Sequence, residues 1–195
     1  MRARSCASLS RQFVSKIPVK THCQTGDWTQ APARQLKTAV VNVRFGKGVT
    51  IVEPCNLYGC ELGDGVFVGP FVEIQTGVRV GRRTKVQSHA FICELVTIGD
   101  DCFVGHGVMF INDLFRTGGP ARGDKSQWRA TLVENHVSIG SNATILPVRI
   151  CNDCVIGAGA VVTKDLLVPG IYAGNPARML RRIEPLASLQ PPASP

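Results

Sequence analysis

No stretch of this 195-residue chain approaches the roughly 18 consecutive apolar residues that a membrane-spanning helix requires. The amino terminus also lacks the continuous apolar core of a secretory signal. No membrane partner is expected, and the expected compartment is the cytoplasm. Net charge is missing from the middle of the chain. The formal charge of +8 divides into seven basic residues and one acid over residues 1–40, twelve of each over 41–177, and three basic residues against Glu184 from Arg178 onward. A nucleic-acid-binding protein carries its basic stripe on the folded body, so no nucleic-acid partner is expected. Residues 1–40 also lack strand or helix periodicity and hold no acid before Asp27. Arg2, Arg4, Arg11, Lys16 and Lys20 among Ser and Thr have the composition of a transit peptide, of a disordered arm or of a start called too early, and the three stay open. Beyond Glu184, PLASLQPPASP reads as a disordered tail.

A six-residue repeat occupies the rest. With 44% apolar and 18% charged residues the chain is globular, and from Phe45 it divides into FGKGVT, IVEPCN, LYGCE, LGDGVF, VGPFVE, IQTGVR, VGRRTK, VQSHAF, ICELVT, IGDDCF and VGHGVM. The pattern stops after Phe110 and resumes at Val133 with VENHVS, IGSNAT, ILPVR, ICNDCV and IGAGAV. Each unit opens on an aliphatic residue or Phe, and the residue two before the next opening is small or β-branched throughout. Two units, Leu57–Glu61 and Ile145–Arg149, are one residue short and keep the phase. One large and one small inward residue per short strand suit a triangular coil of three units. Successive coils then pair as parallel strands at about 4.8 Å spacing, and no coil is stable without neighbours. The expected architecture is an all-β parallel β-helix of about six coils over residues 41–183, with a protruding loop at 111–132 and a short closing helix over 176–183. Glycine at the second position of many units (Gly63, Gly69, Gly81, Gly99, Gly105, Gly140, Gly157) is read as backbone freedom for the corner.

The [Leu/Ile/Val]-Gly-x-x-small-x repeat, the ending IGAGAVVTKD (156–165) and the segment AGNPAR (173–178) resemble the hexapeptide acyltransferases. That resemblance implies a left-handed helix and a homotrimer, with acyl-CoA bound between neighbouring subunits. The stretch KVQSHAFICELVTIGDDCFVGHGVMFIND (85–113) is similar to the nucleotide-sugar N-acetyltransferases of surface-polysaccharide synthesis, including those acting on a UDP-2-acetamido-3-amino uronic acid. The implied reaction is transfer of an acetyl group from acetyl-CoA to the amine of a nucleotide-linked sugar, without a metal. Relatives often carry a histidine inside the loop, and this loop has none. Some relatives carry Asn where this chain has Ser88 and His89.

The eight cysteines include a C-x-x-C at Cys151 and Cys154. No second such pair accompanies it, which makes a zinc site a weak reading. Cys55, Cys60, Cys102 and Cys154 fall at the small inward position, and Cys93 and Cys151 take the glycine position. Free cysteine packs as a small hydrophobe, so no metal is expected.

An eighteen-residue coil sets Ser88 under His106, with His89 beside it and Gln87 nearby. The column continues through Gly140, Ser141 and Asn142 to Ala158 and Gly159, a strip nearly bare of side chains that suits the pantetheine arm of coenzyme A. Amine acetylation needs a base, for which histidine is suited near neutral pH, and a donor for the developing oxyanion. His89 or His106 is the candidate base, Asn112 at the loop entrance orients the amine, and the N–H groups along Gly105 and Gly107 are candidate oxyanion donors. Gln87, Ser88, Asp113 and Arg116 are the candidate substrate contacts. Lys164 and Arg178, which fall in the family's C-terminal motif, are assigned to the coenzyme A phosphates, with Gly140, Asn142, Ala158 and Gly159 along its arm. Two other readings compete. A zinc hydratase like the γ-class carbonic anhydrases needs three histidines, and no adjacent histidine pair completes a set with His89 and His106. A non-catalytic scaffold is the third.

Overall fold

The structure is a computed structural model, and it describes residues 40–183. Apart from Val40, the expected basic arm (1–40) and tail (184–195) lie outside the described residues.

The chain winds through three faces in turn, and the coils up to Val155–Ile156 add one short parallel strand to each. The first face has seven strands: Val40–Val41, Asn56–Tyr58, Glu73–Ile74, Phe91–Ile92, Met109–Phe110, Thr144–Ile145 and Val161–Val162. The second has six, from Arg44–Phe45 to Arg149–Ile150. The third has eight, from Thr50–Ile51 to the closing pair Gly170–Ala173 and Arg178–Arg182. The first face is thus seven coils deep, one more than expected from a repeat opening at Phe45, because Val40 and Val41 already pair with Leu57 and Tyr58.

Opening residues of the units form three inner columns. Ile74, Ile92, Phe110, Ile145 and Val162 line the first face, Val80, Ile98, Val133 and Ile150 the second, and Val86, Val104, Ile139 and Ile156 the third, none more than 3% exposed. Each such side chain taken from water contributes roughly 1.5–3 kcal/mol. The small positions are buried from Cys60 onward, whereas Val49 and Cys55 in the first coils are half-buried. Thr84, the polar member of that set, is fully buried and satisfied. Its hydroxyl donates to the Gly99 carbonyl at 2.8 Å and accepts from the Cys102 N–H at 3.0 Å.

The corners correct two expectations. Second-position glycines do not use left-handed backbone; the fourth position does, as at Arg83 (φ 58°), His89 (φ 64°), Asp101 (φ 55°), His136 (φ 57°) and Asn142 (φ 59°). Glycine is needed at the second position because the coils approach closely there. A Cβ on Gly140 would lie 2.5 Å from the Ala158 nitrogen, and one on Gly69 2.8 Å from the Ser88 nitrogen. The helix expected over 176–183 is instead the strand Arg178–Arg182, antiparallel to Gly170–Ala173. Gly170–Ala173 pairs with Val155–Ile156 and extends the third face, and a returning strand satisfies the backbone groups of that edge, which a helix would leave open.

Candidate active site

The corner between the third and first faces carries the predicted column. Its coils are bonded vertically: His89 N–H donates to the Pro70 carbonyl at 3.2 Å, Gly107 to Ser88 at 3.0 Å, Asn142 to His106 at 2.7 Å and Gly159 to Ser141 at 2.9 Å. Ser88 and His106 meet as expected, Ser88 Oγ lying 2.7 Å from His106 Nδ1. This contact leaves the other ring nitrogen, Nε2, free of the serine. His106 is exposed and Ser88 half-buried. His89 is placed differently. Its ring stacks on Phe71, one coil below, at 4.9 Å between centroids and 27° between planes. Phe71 shares its left-handed backbone, with φ 60°, so the two rings form a corner stack. Gln87 is half-buried beside Ser88. Above His106, Ser141 is half-buried and Asn142, Ala158 and Gly159 are exposed, making the low strip anticipated from sequence.

The N–H groups of Gly105 and Gly107 are not available as oxyanion donors, which corrects that expectation. Gly105 donates to the Ile139 carbonyl at 2.8 Å and Gly107 to Ser88. They belong to the coil-to-coil ladder.

The loop leaves Met109–Phe110 on the first face and rejoins Thr131–Val133 on the second, so it projects from a different corner than Ser88 and His106. Within one chain the structure does not bring Asn112, Asp113 and Arg116 together with the histidines. Asp113 organises the loop itself, its carboxylate accepting the Phe115 N–H at 2.9 Å and the Ala121 N–H at 2.7 Å. Asn112 holds the neck, donating from Nδ2 to the Glu94 carbonyl at 3.2 Å and accepting the Arg129 N–H at 2.9 Å. Arg116 is exposed. Glu94 was not among the sequence candidates. Its carboxylate, 18% exposed, holds Lys125 Nζ at 2.6 Å, and Lys125 sits 5.4 Å from the centre of the Trp128 ring. The available signal was a carboxylate at the corner from which the long loop later departs.

Lys164 and Arg178, distant in sequence, line one cleft of about 270 Å³ with Thr163, Leu166, Tyr172 and Ala177 at the carboxyl-terminal end of the solenoid. Both are exposed, and neither is ion-paired among the described residues.

The cysteines sit in register as expected. The six among the described residues are free thiols, of which Cys60, Cys93, Cys102 and Cys154 are buried. Burial pushes the Cys60 thiol up to about 11 and the Cys93 thiol up to about 12. Among the described residues no three His, Cys, Asp or Glu side chains gather as a metal-ligand group.

Known proteins align with this geometry. The family described as "Hexapeptide repeat of succinyl-transferase" matches residues 95–109 and 131–164, and "Bacterial transferase hexapeptide (six repeats)" matches 59–94. The bifunctional protein GlmU of Rubrobacter xylanophilus is 32% identical over 124 residues, which is 63% of this chain but 24% of that protein. The chain therefore spans about a quarter of the length of this curated relative. Among solved structures, the N-acyltransferase AntD of Bacillus cereus, in complex with dTDP and coenzyme A, superposes with a TM-score of 0.66 at 21% identity, over 76% of this chain and 88% of AntD. A point variant of perosamine N-acetyltransferase from Caulobacter crescentus, in complex with CoA and GDP-perosamine, gives 0.52 at 21% identity, over 73% and 57%. These likenesses show the shared fold, the left-handed parallel β-helix. Repeat register, three-faced coil and the two matching family patterns agree that residues 59–109 and 131–164 carry the hexapeptide repeat of the bacterial transferases.

Proposed function

We propose that the chain is an acetyl-CoA-dependent N-acetyltransferase acting on the amino group of a nucleotide-linked sugar, in the synthesis of a surface polysaccharide such as a lipopolysaccharide O-antigen. The observation that carries this reading is the Ser88–His106 pair at 2.7 Å, standing at the foot of the bare strip Ser141, Ala158 and Gly159. Similar folds crystallised with CoA and nucleotides or a nucleotide sugar support the substrate classes.

The residues fit such an acyl donor. A strip of small side chains admits a narrow thioester arm, and two cations in one cleft suit phosphates, which form strong charge-assisted hydrogen bonds. In this reading Lys164 and Arg178 hold the phosphates, and Gly140, Asn142, Ala158 and Gly159 flank the arm. His106 is the base: its Nδ1–H donates to the Ser88 hydroxyl oxygen, which sets the ring's orientation and tautomer and leaves Nε2 unprotonated to take the proton from the attacking amine. The new bond is C–N, the broken bond is C–S, and the proton ends on the CoA thiolate. His89, held against Phe71, shapes the wall, and Gln87 contacts the acceptor. With Gly105 and Gly107 engaged in the ladder, the third-position N–H groups of His106 and Ser141 take the oxyanion role. Elsewhere these third-position amides are capped, as Arg82 is by Asp100 and Asn135 by Asn152.

Because the loop and the histidine column occupy different corners, a site using Asn112, Asp113 and Arg116 as well as His106 is assembled from two copies of the chain. This supports the homotrimer. The cytoplasm is the proposed location. No helix among the described residues is long and apolar enough to cross a membrane.

The test is release of free CoA by the purified chain across UDP-, GDP- and dTDP-linked amino sugars, with His106→Asn alongside. Turnover of at least one amino sugar, lost in the variant, is expected. No release with any acceptor would end this reading, and full activity in His106→Asn would remove the base.

A further inference from the structure

The repeat register explains why Cys151 and Cys154 are buried or half-buried, but not why their sulfurs touch. The two Sγ atoms lie 3.6 Å apart. Asp153 between them has left-handed backbone (φ 58°), so the corner itself folds the second and fifth positions of this unit toward each other. No other pair of thiols is in contact among the described residues. A disulfide bond is about 2.05 Å long, and closing the remaining gap of about 1.5 Å is within the reach of side-chain rotation and a small corner shift.

The pair lies under the carboxyl-terminal cleft. Cys151 N–H donates to the Leu166 carbonyl at 2.9 Å. The Cys154 thiol points at the Val168 carbonyl at 3.7 Å, and that same carbonyl accepts the Tyr172 hydroxyl at 2.7 Å. Leu166 and Tyr172 line the cleft that holds Lys164 and Arg178.

We propose that Cys151 and Cys154 are a dithiol modification site, closed to an intramolecular disulfide by low-molecular-weight disulfides, and that closure reshapes the Lys164/Arg178 cleft. Cys151, half-buried, is the entry thiol, since burial raises its partner Cys154. Its thiolate attacks the small disulfide and releases one small thiolate. Cys154, on losing its proton, attacks the Cys151 sulfur and releases the second. Two protein S–H bonds become one S–S bond, and one small disulfide becomes two thiols. The bond draws Cys154 away from Val168, and with it the anchor shared by Tyr172.

The modification stands on geometry alone; its effect on the cleft rests on the coenzyme A reading above. The experiment equilibrates the purified full chain in glutathione buffers from reducing to oxidising, quenches in acid, alkylates, and maps tryptic peptides. Cleavage after Arg149 and Lys164 places both thiols on one peptide. In oxidising buffer that peptide is expected to lose two hydrogens and resist alkylation, while Cys60 and Cys93 stay reduced. Cys151→Ser should abolish the change, and Cys154→Ala should trap glutathione on Cys151. Free thiols at both positions in folded, oxidised protein would overturn the site, as would a mixed disulfide in wild type that never resolves. CoA affinity by calorimetry is expected to fall several-fold on oxidation of wild type and to stay constant in Cys151→Ser. Equal affinity in both states would overturn the coupling. Absence of CoA binding in either state would overturn the proposed function and leave the disulfide result standing by itself.

Discussion

Replacing Gly99 by Ala separates two explanations for the glycines of the repeat. If second-position glycine supplied conformational freedom, Gly99→Ala would cost no more than an alanine forced into left-handed backbone. Gly99 has no positive φ, and its difficulty is space. An added Cβ would meet Asn135 Oδ1 at 2.5 Å, the Glu134 carbonyl carbon at 2.8 Å and the Asn135 nitrogen at 2.9 Å. Two of these are backbone atoms of the next coil, so no rotamer change relieves them, and the coils must part by at least about half an ångström to restore van der Waals contact. Three hydrogen bonds span that gap: Gly99 N–H to Val133 at 2.8 Å, Asp100 N–H to Asn135 Oδ1 at 2.8 Å and His136 N–H to Asp100 at 3.0 Å. Weakening them, at about 1 kcal/mol each, together with overpacking gives a loss of roughly 2–4 kcal/mol. Gly77 is the control. It has φ +75°, and a Cβ added there would meet nothing within 4 Å, so Gly77→Ala should cost only about 1–2 kcal/mol of backbone strain. Guanidinium unfolding at one fixed protomer concentration compares the two, since assembly makes apparent stability concentration-dependent. A Gly99→Ala midpoint equal to or above that of Gly77→Ala would refute the close-approach reasoning.

Four further outcomes are expected. Phe110→Ala, at a fully buried position of the first inner column, should lose about 3–5 kcal/mol in the same unfolding assay. Ser88→Ala should lower kcat in the CoA-release assay by less than His106→Asn, which should lose about 10²–10⁴-fold if the ring is the base. Lys164→Ala and Arg178→Ala should each raise the KM for acetyl-CoA with kcat largely kept, the pattern of lost uniform binding; a drop in kcat at unchanged KM would contradict their assignment. Asp100 and Asp101 are held below the usual carboxylate range by hydrogen bonds from the Arg82 and Arg83 side chains. A depressed folded-state value gives stability that is present above the ordinary carboxylate value near 3.8 and lost as pH falls below it through the lowered one. Thermal scans should therefore show an acid-side loss in wild type that is smaller in the double variant Asp100→Asn, Asp101→Asn.

Local rules written into every unit made the scaffold legible. An aliphatic opening and a small fifth residue recur at a fixed spacing, and Ile74, Ile92 and Phe110 fall on one inner column because each coil has three units. The same arithmetic set Ser88 under His106, since eighteen residues bring the chain back to the same corner. Where the repeat ends, those rules end with it. Nothing local in NPARMLRRI distinguishes a closing helix from a strand; the outer edge of Gly170–Ala173 decides it, and that edge exists only once the coils are stacked.

The sequence by itself determined the period, the inward-facing residues and the column that carries Ser88, His89 and His106, because these depend on spacing along one chain. Tertiary structure alone decided four things: which histidine is stacked and which is hydrogen-bonded, that the Gly105 and Gly107 amides belong to the ladder, that Lys164 and Arg178 share a cleft, and that two thiols touch. Each is a contact between coils or across a corner, set by how closely backbones approach in three dimensions, and a one-dimensional pattern carries no term for that distance.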